Sequence, residues 1–408
     1  MAKFKILERF GIELEYMVVD KDTYNIRPIV DNVLKDTVGS FMQEIDRPRI
    51  NWSNELALHV IEVKNKDPEP DISDMLPDFN LEVKSINESL KKYNCVLMPG
   101  GVHPWMNPMT DAKLWPHSNK VIYNTYDRIF GCKGHGWSNL QSMHINISFD
   151  GDEDFHRLHS AIRVVLPLIP AMCSSSPVID GQKFDYMSSR LYHYLKNQRK
   201  IESIIGNVVP EAVTSQAEYK EKILNKMYKD IDPFDTDKVL QHEWLNSRGA
   251  IAKFKYGCIE IRLADIQEAP IKDLATAEFF TQLIRAFALT DFIDLEKADK
   301  ISEIELKEIL VQSAHFADQA MVTNEKYLDL FGIKDPLTTS ELLNYFYEKI
   351  DFSDSDMKFK YAVKHNLDQG PLSYRILKFL NSNYKKDHLL EVSKDLSHCL
   401  QKGIFFEA

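Results

Sequence analysis

The sequence predicts an α+β protein built on a mainly antiparallel sheet. Segments of alternating polarity occupy the early and middle parts of the chain, interrupted by helical patterns. From about residue 273 the text is mostly helical. The short βαβα rhythm of a doubly wound fold is absent. With 408 residues, 44% of them hydrophobic and 27% charged, the chain has ample length for a core.

FGIELEYMVVD (10–20) reads as the first strand. Phe10, Ile12, Leu14, Tyr16 and Val18 fall on one face, and Gly11, Glu13 and Glu15 on the other. DKDTYNIRPI (20–29) reads as the turn of a hairpin. NWSNELALHVIEVKN (51–65) carries Glu55 and Glu62, an odd seven residues apart. An unbroken strand would set them on opposite faces, so they meet only across a bulge, bend or turn. DPEPDISDMLPDF (67–79) is a connection, followed by a helix over 81–94 with Leu81, Ile86 and Leu90 on its apolar side. CVLMPGGVHPW (95–105) reads as a strand ending in a glycine-rich turn. NKVIYNTYDRIFG (119–131) is a helix stopped by Gly131. LQSMHINISF (140–149) alternates, with Ser142, His144, Asn146 and Ser148 on one face. DFHRLHSAIRVVLPLIPAMC (154–173) is a helix kinked or split by Pro167 and Pro170. GCIEIRLAD (257–265) packs Ile259, Ile261 and Leu263 one way and turns Glu260 and Arg262 the other, with Asp265 just past its end. Amphipathic helices are expected from DLATAEFFTQLIRAFALTDFI (273–293) onward. This divides the chain into a sheet-bearing unit, 1–293, and a helical portion, 294–408, packed on it.

The polar faces raise a chemical question. Glu is depleted in strands, yet Glu13 and Glu15 share a face. At a spacing of about 6.6–7 Å and an effective dielectric near 20, their repulsion is roughly 2.4 kcal/mol. Water, cross-strand Lys or Arg, or a bound cation must relieve it. A solvated face would account for Glu13 and Glu15 alone, a plain ion pair for Glu260 and Arg262, and a solvated turn for Glu55. Together, four segments offer carboxylate, imidazole, amide or guanidinium on one face and aliphatic packing on the other. Oxygen donors with an imidazole suit Mg²⁺ or Mn²⁺, and an adjacent Arg suits a phosphate.

Composition narrows the field. The formal net charge is −11 and no basic block stands out, so a nucleic-acid partner is not expected. Divalent metals would let an acidic protein bind anionic nucleotides all the same. The start, MAKFKILERF, lacks the apolar stretch of a signal peptide, and no segment approaches a membrane span. The five cysteines are scattered, without CxxC, as in reduced thiols of a cytoplasmic protein. No GxxxxGK[ST] is present, so a P-loop is excluded.

Taken in order, GIELEY, ELALHVIEV, MPGGVHPW, LQSMHINIS, LPLIPAMCSSSPVIDGQKFDYMSSR, NSRGAIAKF, IEIRLADIQEAP and GPLSYRIL resemble the second family of glutamate–cysteine ligases. These are carboxylate–amine ligases related in fold to glutamine synthetase. The resemblance implies a curved antiparallel sheet forming a funnel-shaped active site, with ATP at one end, small amino acid substrates at the other and divalent metals (Mg²⁺, or Mn²⁺) between. Carried over, it implies that Glu13, Glu15, Glu55 and Glu62 ligate metal, and that His144 and Glu260 complete a metal position near the phosphates. Arg262, Glu260 and Arg248 take the catalytic places. His144, Asn146, Arg248 and Arg262 line the nucleotide side, and Glu55, Ser176 and Arg190 the substrates. The implied reaction is γ-glutamylcysteine formation through an acyl phosphate, the step leading to glutathione.

The chain departs from the family where His144-Ile145-Asn146 replaces a His-Val-His pattern, at Ser175-Ser176-Pro177-Val178, and at Phe184-Asp185. These changes bear on which acid and amine are joined. A ligase for another amino acid pair, a guanidino-kinase-like phosphotransferase and a non-catalytic nucleotide or amino acid sensor are the alternatives. The sequence does not fix the oligomeric state, and a homo-oligomer is compatible with it.

Overall fold

A computed structural model describes residues 3–350, 352 and 356–408. Its centre is an open, eight-stranded sheet. The strands are β1 (Phe10–Asp20), β2 (Glu44–Ile45), β3 (Ile50–Asn54), β4 (Val60–Asn65), β5 (Cys95–Met98), β6 (Ser142–Ser148), β7 (Ala250–Lys253) and β8 (Cys258–Asp265). They run in the order β2-β3-β4-β1-β6-β8-β7. The end of β1, from Met17 to Asp20, pairs instead with β5. Every one of these pairings is antiparallel.

Alternation decides which face is which. Ile12, Leu14 and Tyr16 of β1 are fully buried, as are Ile61 and Val63 of β4. Ile145, Ile147, Ile259 and Ile261 extend this apolar face across β6 and β8. The helices Leu76–Leu90, Gly151–Val165 and Pro270–Leu289 pack into the same hydrophobic cluster. Each such side chain taken from water contributes about 1.5–3 kcal/mol. The opposite face is left to the polar residues.

Two details position them, the first expected from the spacing of Glu55 and Glu62 and the second not. Residues 55–59 form the turn between β3 and β4, so Ser53 pairs with Glu62 and Glu55 sits at the turn. That is the interruption an odd spacing of Glu55 and Glu62 required. In β8 the register against β6 slips between Ile261 and Ala264. The bulge adds one residue, so Asp265 pairs with Ser142 and joins the polar face.

Other expectations need correcting. The 20–29 turn folds back through a single bridge, Val19 to Ile26, and leads into the helix Val30–Val38 rather than a hairpin strand. The 81–94 helix starts earlier, at Leu76, and Leu81 is 58% exposed, because Phe79, Val83, Ile86 and Leu90 form its buried stripe. The helix expected to be amphipathic after 273 runs Pro270–Leu289 and is buried on every side from Pro270 to Thr281. It is a core helix that buries even Lys272, Asp273 and Glu278. Asp265 lies inside β8, not past it. The Gly151–Val165 helix does give way, through a 3₁₀ turn at Leu166–Leu168, to a short helix, Ile169–Cys173, as Pro167 and Pro170 demand.

Candidate active site

The register stacks the polar residues in rows across the sheet. Glu62 of β4 faces Glu15 of β1. In the next row Lys64, Glu13 and His144 are neighbours. In the row beyond, Gly11, Asn146, Glu260 and Ile251 follow one another. Lys253 of β7 is opposite Cys258, one row further.

Hydrogen bonds join the rows. His144 Nδ1 lies 3.0 Å from Glu13 Oε2, and Asn146 donates to Glu13 Oε1 at 3.0 Å. The backbone N–H and hydroxyl of Ser142 both donate to Glu15 Oε2, at 2.6 and 2.7 Å. His144 Nε2 is 3.8 Å from Glu15 Oε1. Ser53 donates to Glu62 at 2.7 Å, and Lys64 reaches Glu62 at 2.9 Å and Glu44 at 3.1 Å. Arg262 and Lys253 both contact the Glu260 carboxylate, and Lys253 is 3.7 Å from Glu13.

The electrostatics follow from this crowding. Burial and the charges of Glu62 and Glu15 push the Glu55 carboxyl well above its usual range. Burial also raises Glu15, against the pull of His144, Ser142 and Arg190. Burial acts on Glu13 as well, but Lys253, His144 and Lys64 outweigh it and hold that carboxyl well below the usual range. The acids are thus crowded enough to need cations, and ammonium groups supply part of that need.

Two groups have the composition of a cation site: Glu13, His144 and Glu260, and Glu15, Glu62 and His144. In each, one donor atom per residue lies within 4.8 Å of the others. Two carboxylate oxygens and an imidazole nitrogen fit a hard divalent ion with room for further oxygen ligands. Five of the six residues expected to ligate metal are in these groups. Glu55 is not; it lines the adjoining cavity instead.

That cavity, about 430 Å³, is bounded by Glu15, Glu55, His144, Arg190 and Arg262 on the sheet side. Its other wall is aromatic, with Tyr123, Tyr126, Trp137, Tyr194 and Trp244. Ser176 does not line it. Its hydroxyl donates to Asp265 at 2.7 Å, behind Arg190, whose Nη1 is 3.3 Å from the same carboxylate and whose Nη2 donates to the Arg262 carbonyl at 2.9 Å. Gly101 makes room for Asp265: a Cβ there would stand 2.7 Å from the carboxylate.

The structure does not bring Arg248 to the carboxylates. Its guanidinium is turned onto Glu211 by two bonds of 2.7 Å and donates to the Ser203 carbonyl at 3.1 Å. A carboxylate offering both oxygens holds the planar fork away from the sheet. Gly206, with φ +54°, covers it, and a Cβ there would be 2.6 Å from Nη2.

Sequence reading missed Lys64, Ser142 and Lys253 as site residues, though alternation put Lys64 beside Glu62 and Ser142 beside His144. Asp265 was hidden by the bulge. The aromatic wall comes from the Lys120–Phe130 helix and from short helical pieces at His135–Ser138, Ser189–Tyr194 and Glu243–Leu245, and no strand periodicity announces it.

The chain is 32% identical over 393 residues to an "Uncharacterized protein" from Archaeoglobus fulgidus, covering 96% of this chain and 98% of that one. It is 25% identical over 182 residues to a "Putative glutamate--cysteine ligase 2" from Herminiimonas arsenicoxydans, spanning 44% of this chain and 46% of the relative. In fold it is similar to the glutamate–cysteine ligase of Francisella tularensis, solved in complex with AMP. There the TM-score is 0.61 at 13% identity, over 97% of this chain and 90% of the other. An open antiparallel sheet with acids, imidazole and guanidinium gathered on one face belongs to the class of ATP-dependent carboxylate–amine ligases. The profile of "Glutamate-cysteine ligase family 2" matches residues 9–325. The chain belongs to that family.

Proposed function

We propose that the protein joins the γ-carboxylate of glutamate to the amine of cysteine at the expense of ATP. The observation that carries this is the pair of three-residue cation groups sharing His144, with Arg262 on the same face and a cavity beside them. Glu13, Glu15, Glu62, His144 and Glu260 would hold Mg²⁺ or Mn²⁺. Such an ion, when bound, neutralises phosphate charge and polarises the transferred phosphoryl group.

The chain's own groups do the rest. A substrate carboxylate oxygen attacks the γ-phosphorus, ADP leaves, and an acyl phosphate forms. Arg262, which lines the cavity, is placed for the charge of the phosphoryl group in flight. Asn146 orients Glu13. Glu55 and Arg190 meet the amino acids, and Ser176 acts on them through Asp265 and Arg190. The amine then attacks the acyl carbon, phosphate departs, and the nitrogen gives up a proton. No enzyme nucleophile is needed. All five cysteines are free thiols, which supports a cytoplasmic setting. Among the described residues no helix is long and apolar enough to cross a membrane.

The test is isotopic. With ¹⁸O in the acid's carboxylate, turnover with cysteine should release ADP and labelled phosphate. AMP as product, or unlabelled phosphate, would overturn the acyl-phosphate route. Turnover only with another amine would overturn the choice of cysteine while keeping the route.

A further inference from the structure

Lys253 has no place in the reaction so far, yet it occupies its centre. It is the last residue of β7, at the sheet's edge, with its side chain 24% exposed. Its ammonium contacts Glu260 and lies 3.7 Å from Glu13. These are two of the three residues in the Glu13–His144–Glu260 group. The ammonium therefore competes with a divalent ion for the same two carboxylates.

Lys64 provides the contrast. It also pairs with a cluster acid, Glu62, but a second carboxylate, Glu44, holds it at 3.1 Å from outside the two groups. Lys253 makes ion pairs only with Glu13 and Glu260 among the described residues. A divalent ion on those two carboxylates would remove its whole electrostatic anchor. The freed ammonium, on a flexible four-carbon stem, would remain tethered a few ångströms from the new cation.

We propose that Lys253 is the resident counter-ion of this position and that, once a divalent ion displaces it, it becomes a phosphate-binding residue for the nucleotide. This rests on reading the face as a metal and phosphoryl site. One residue then serves both states. It relieves acid repulsion before loading, and afterwards it supplies a cation to the anion that arrives with the metal.

Mn²⁺ binding to the full-length protein without nucleotide, followed by electron paramagnetic resonance, separates the two claims. Lys253→Gln removes the competing cation and should tighten Mn²⁺ binding at least fivefold. Lys253→Arg keeps a cation there and should not tighten it. Equal or weaker binding by the Gln variant, or the same tightening in both variants, overturns the proposal. The metal reading fails separately if the wild type binds no Mn²⁺, or if Glu260→Gln binds it as well as the wild type does.

A measurement on the unmodified protein covers the case of a variant that does not fold. Acetylation of Lys253 by a limiting reagent, mapped by mass spectrometry, should accelerate at least threefold on adding Mn²⁺. It should slow again when a non-hydrolysable ATP analogue is added with the metal, while Lys64 changes less. An unchanged Lys253 rate on metal addition, or one that Mn²⁺ raises and the analogue leaves high, overturns the displacement or the phosphate role respectively.

Discussion

At the scale of single residues, Arg262 presents a choice between structure and chemistry. It contacts Glu260 and also lines the cavity, so it could be a partner for a buried acid and nothing more. Lys at this position would keep the charge but lose the planar, two-pronged donor. Arg262→Lys should lower kcat at least tenfold, about 1.4 kcal/mol of transition-state stabilisation, with nucleotide affinity nearly unchanged. Single-turnover kinetics and nucleotide titration measure both. A variant that melts earlier but turns over normally per folded molecule would reduce Arg262 to an ion-pair partner. Much of this site was legible because a strand's side-chain period is two. Glu13, Glu15, His144, Asn146, Glu260 and Arg262 each declared a face by neighbours one residue away. Asp265 was not legible, since the bulge before it reverses the alternation and nothing in GCIEIRLAD marks the slip. The partner of Arg248 was not legible for a different reason: it is Glu211, thirty-seven residues earlier, a tertiary fact with no local signal.

At the scale of elements, two buried histidines tie the connecting segments to one another. His59 lies in the turn between β3 and β4, and its Nε2 is 2.9 Å from the Ser138 carbonyl. His103 follows the PGG turn. Its Nδ1 accepts from the N–H groups of Trp105 and Met106 at 3.2 and 3.0 Å, so its Nε2 donates to the Tyr24 carbonyl at 2.7 Å. Protonating Nδ1 would break two of those bonds. Burial lowers both rings to about 4. The unfolded chain therefore takes up these protons near pH 6.5 and the folded chain only near 4. Unfolding binds protons between those values, so stability falls as the pH drops from 6.5 to 4 and is unaffected by these groups above 6.5. Each ring accounts for roughly 3 kcal/mol over the full window. His103→Gln keeps a donor for Tyr24 but cannot titrate. Urea midpoints measured against pH should show a slope smaller by about one proton in that window, and an unchanged slope would place the titration elsewhere. The elements themselves were readable where period and punctuation agreed, as in Lys120–Phe130 ended by Gly131. They were misread where burial is complete: over Pro270–Thr281 even Lys272, Asp273 and Glu278 are buried, so polar residues there mark no solvated face.

At the scale of the molecule, the question is how the helical portion serves the sheet. The notable contacts are polar and buried. Arg375 reaches Glu268 at 2.6 and 3.3 Å and the Phe406 carbonyl at 2.8 Å. Glu268 lies three residues beyond Asp265, which positions Arg190. The Ser373 N–H donates to the Ser174 carbonyl at 2.9 Å, at the start of the loop carrying Ser176. Lys272 reaches Asn366 and the Ala362 carbonyl at 2.7 and 3.0 Å. One hydrophobic cluster includes both Ile145 of the sheet and Phe346 and Phe359 of the tail. We propose that the catalytic unit of residues 1–293 and the helical portion of 294–408 unfold as one, with the Arg375–Glu268 pair as a joint. Arg375→Met would leave the Glu268 carboxylate buried without its partner and should cost about 3–5 kcal/mol. Arg375→Met with Glu268→Gln removes the stranded charge and should recover much of that loss. Circular dichroism and tryptophan fluorescence during denaturation should trace a single shared transition in the wild type and in both variants. Separate transitions, or a double variant no more stable than Arg375→Met, would show that the helical portion is an appendage and the pair a local contact.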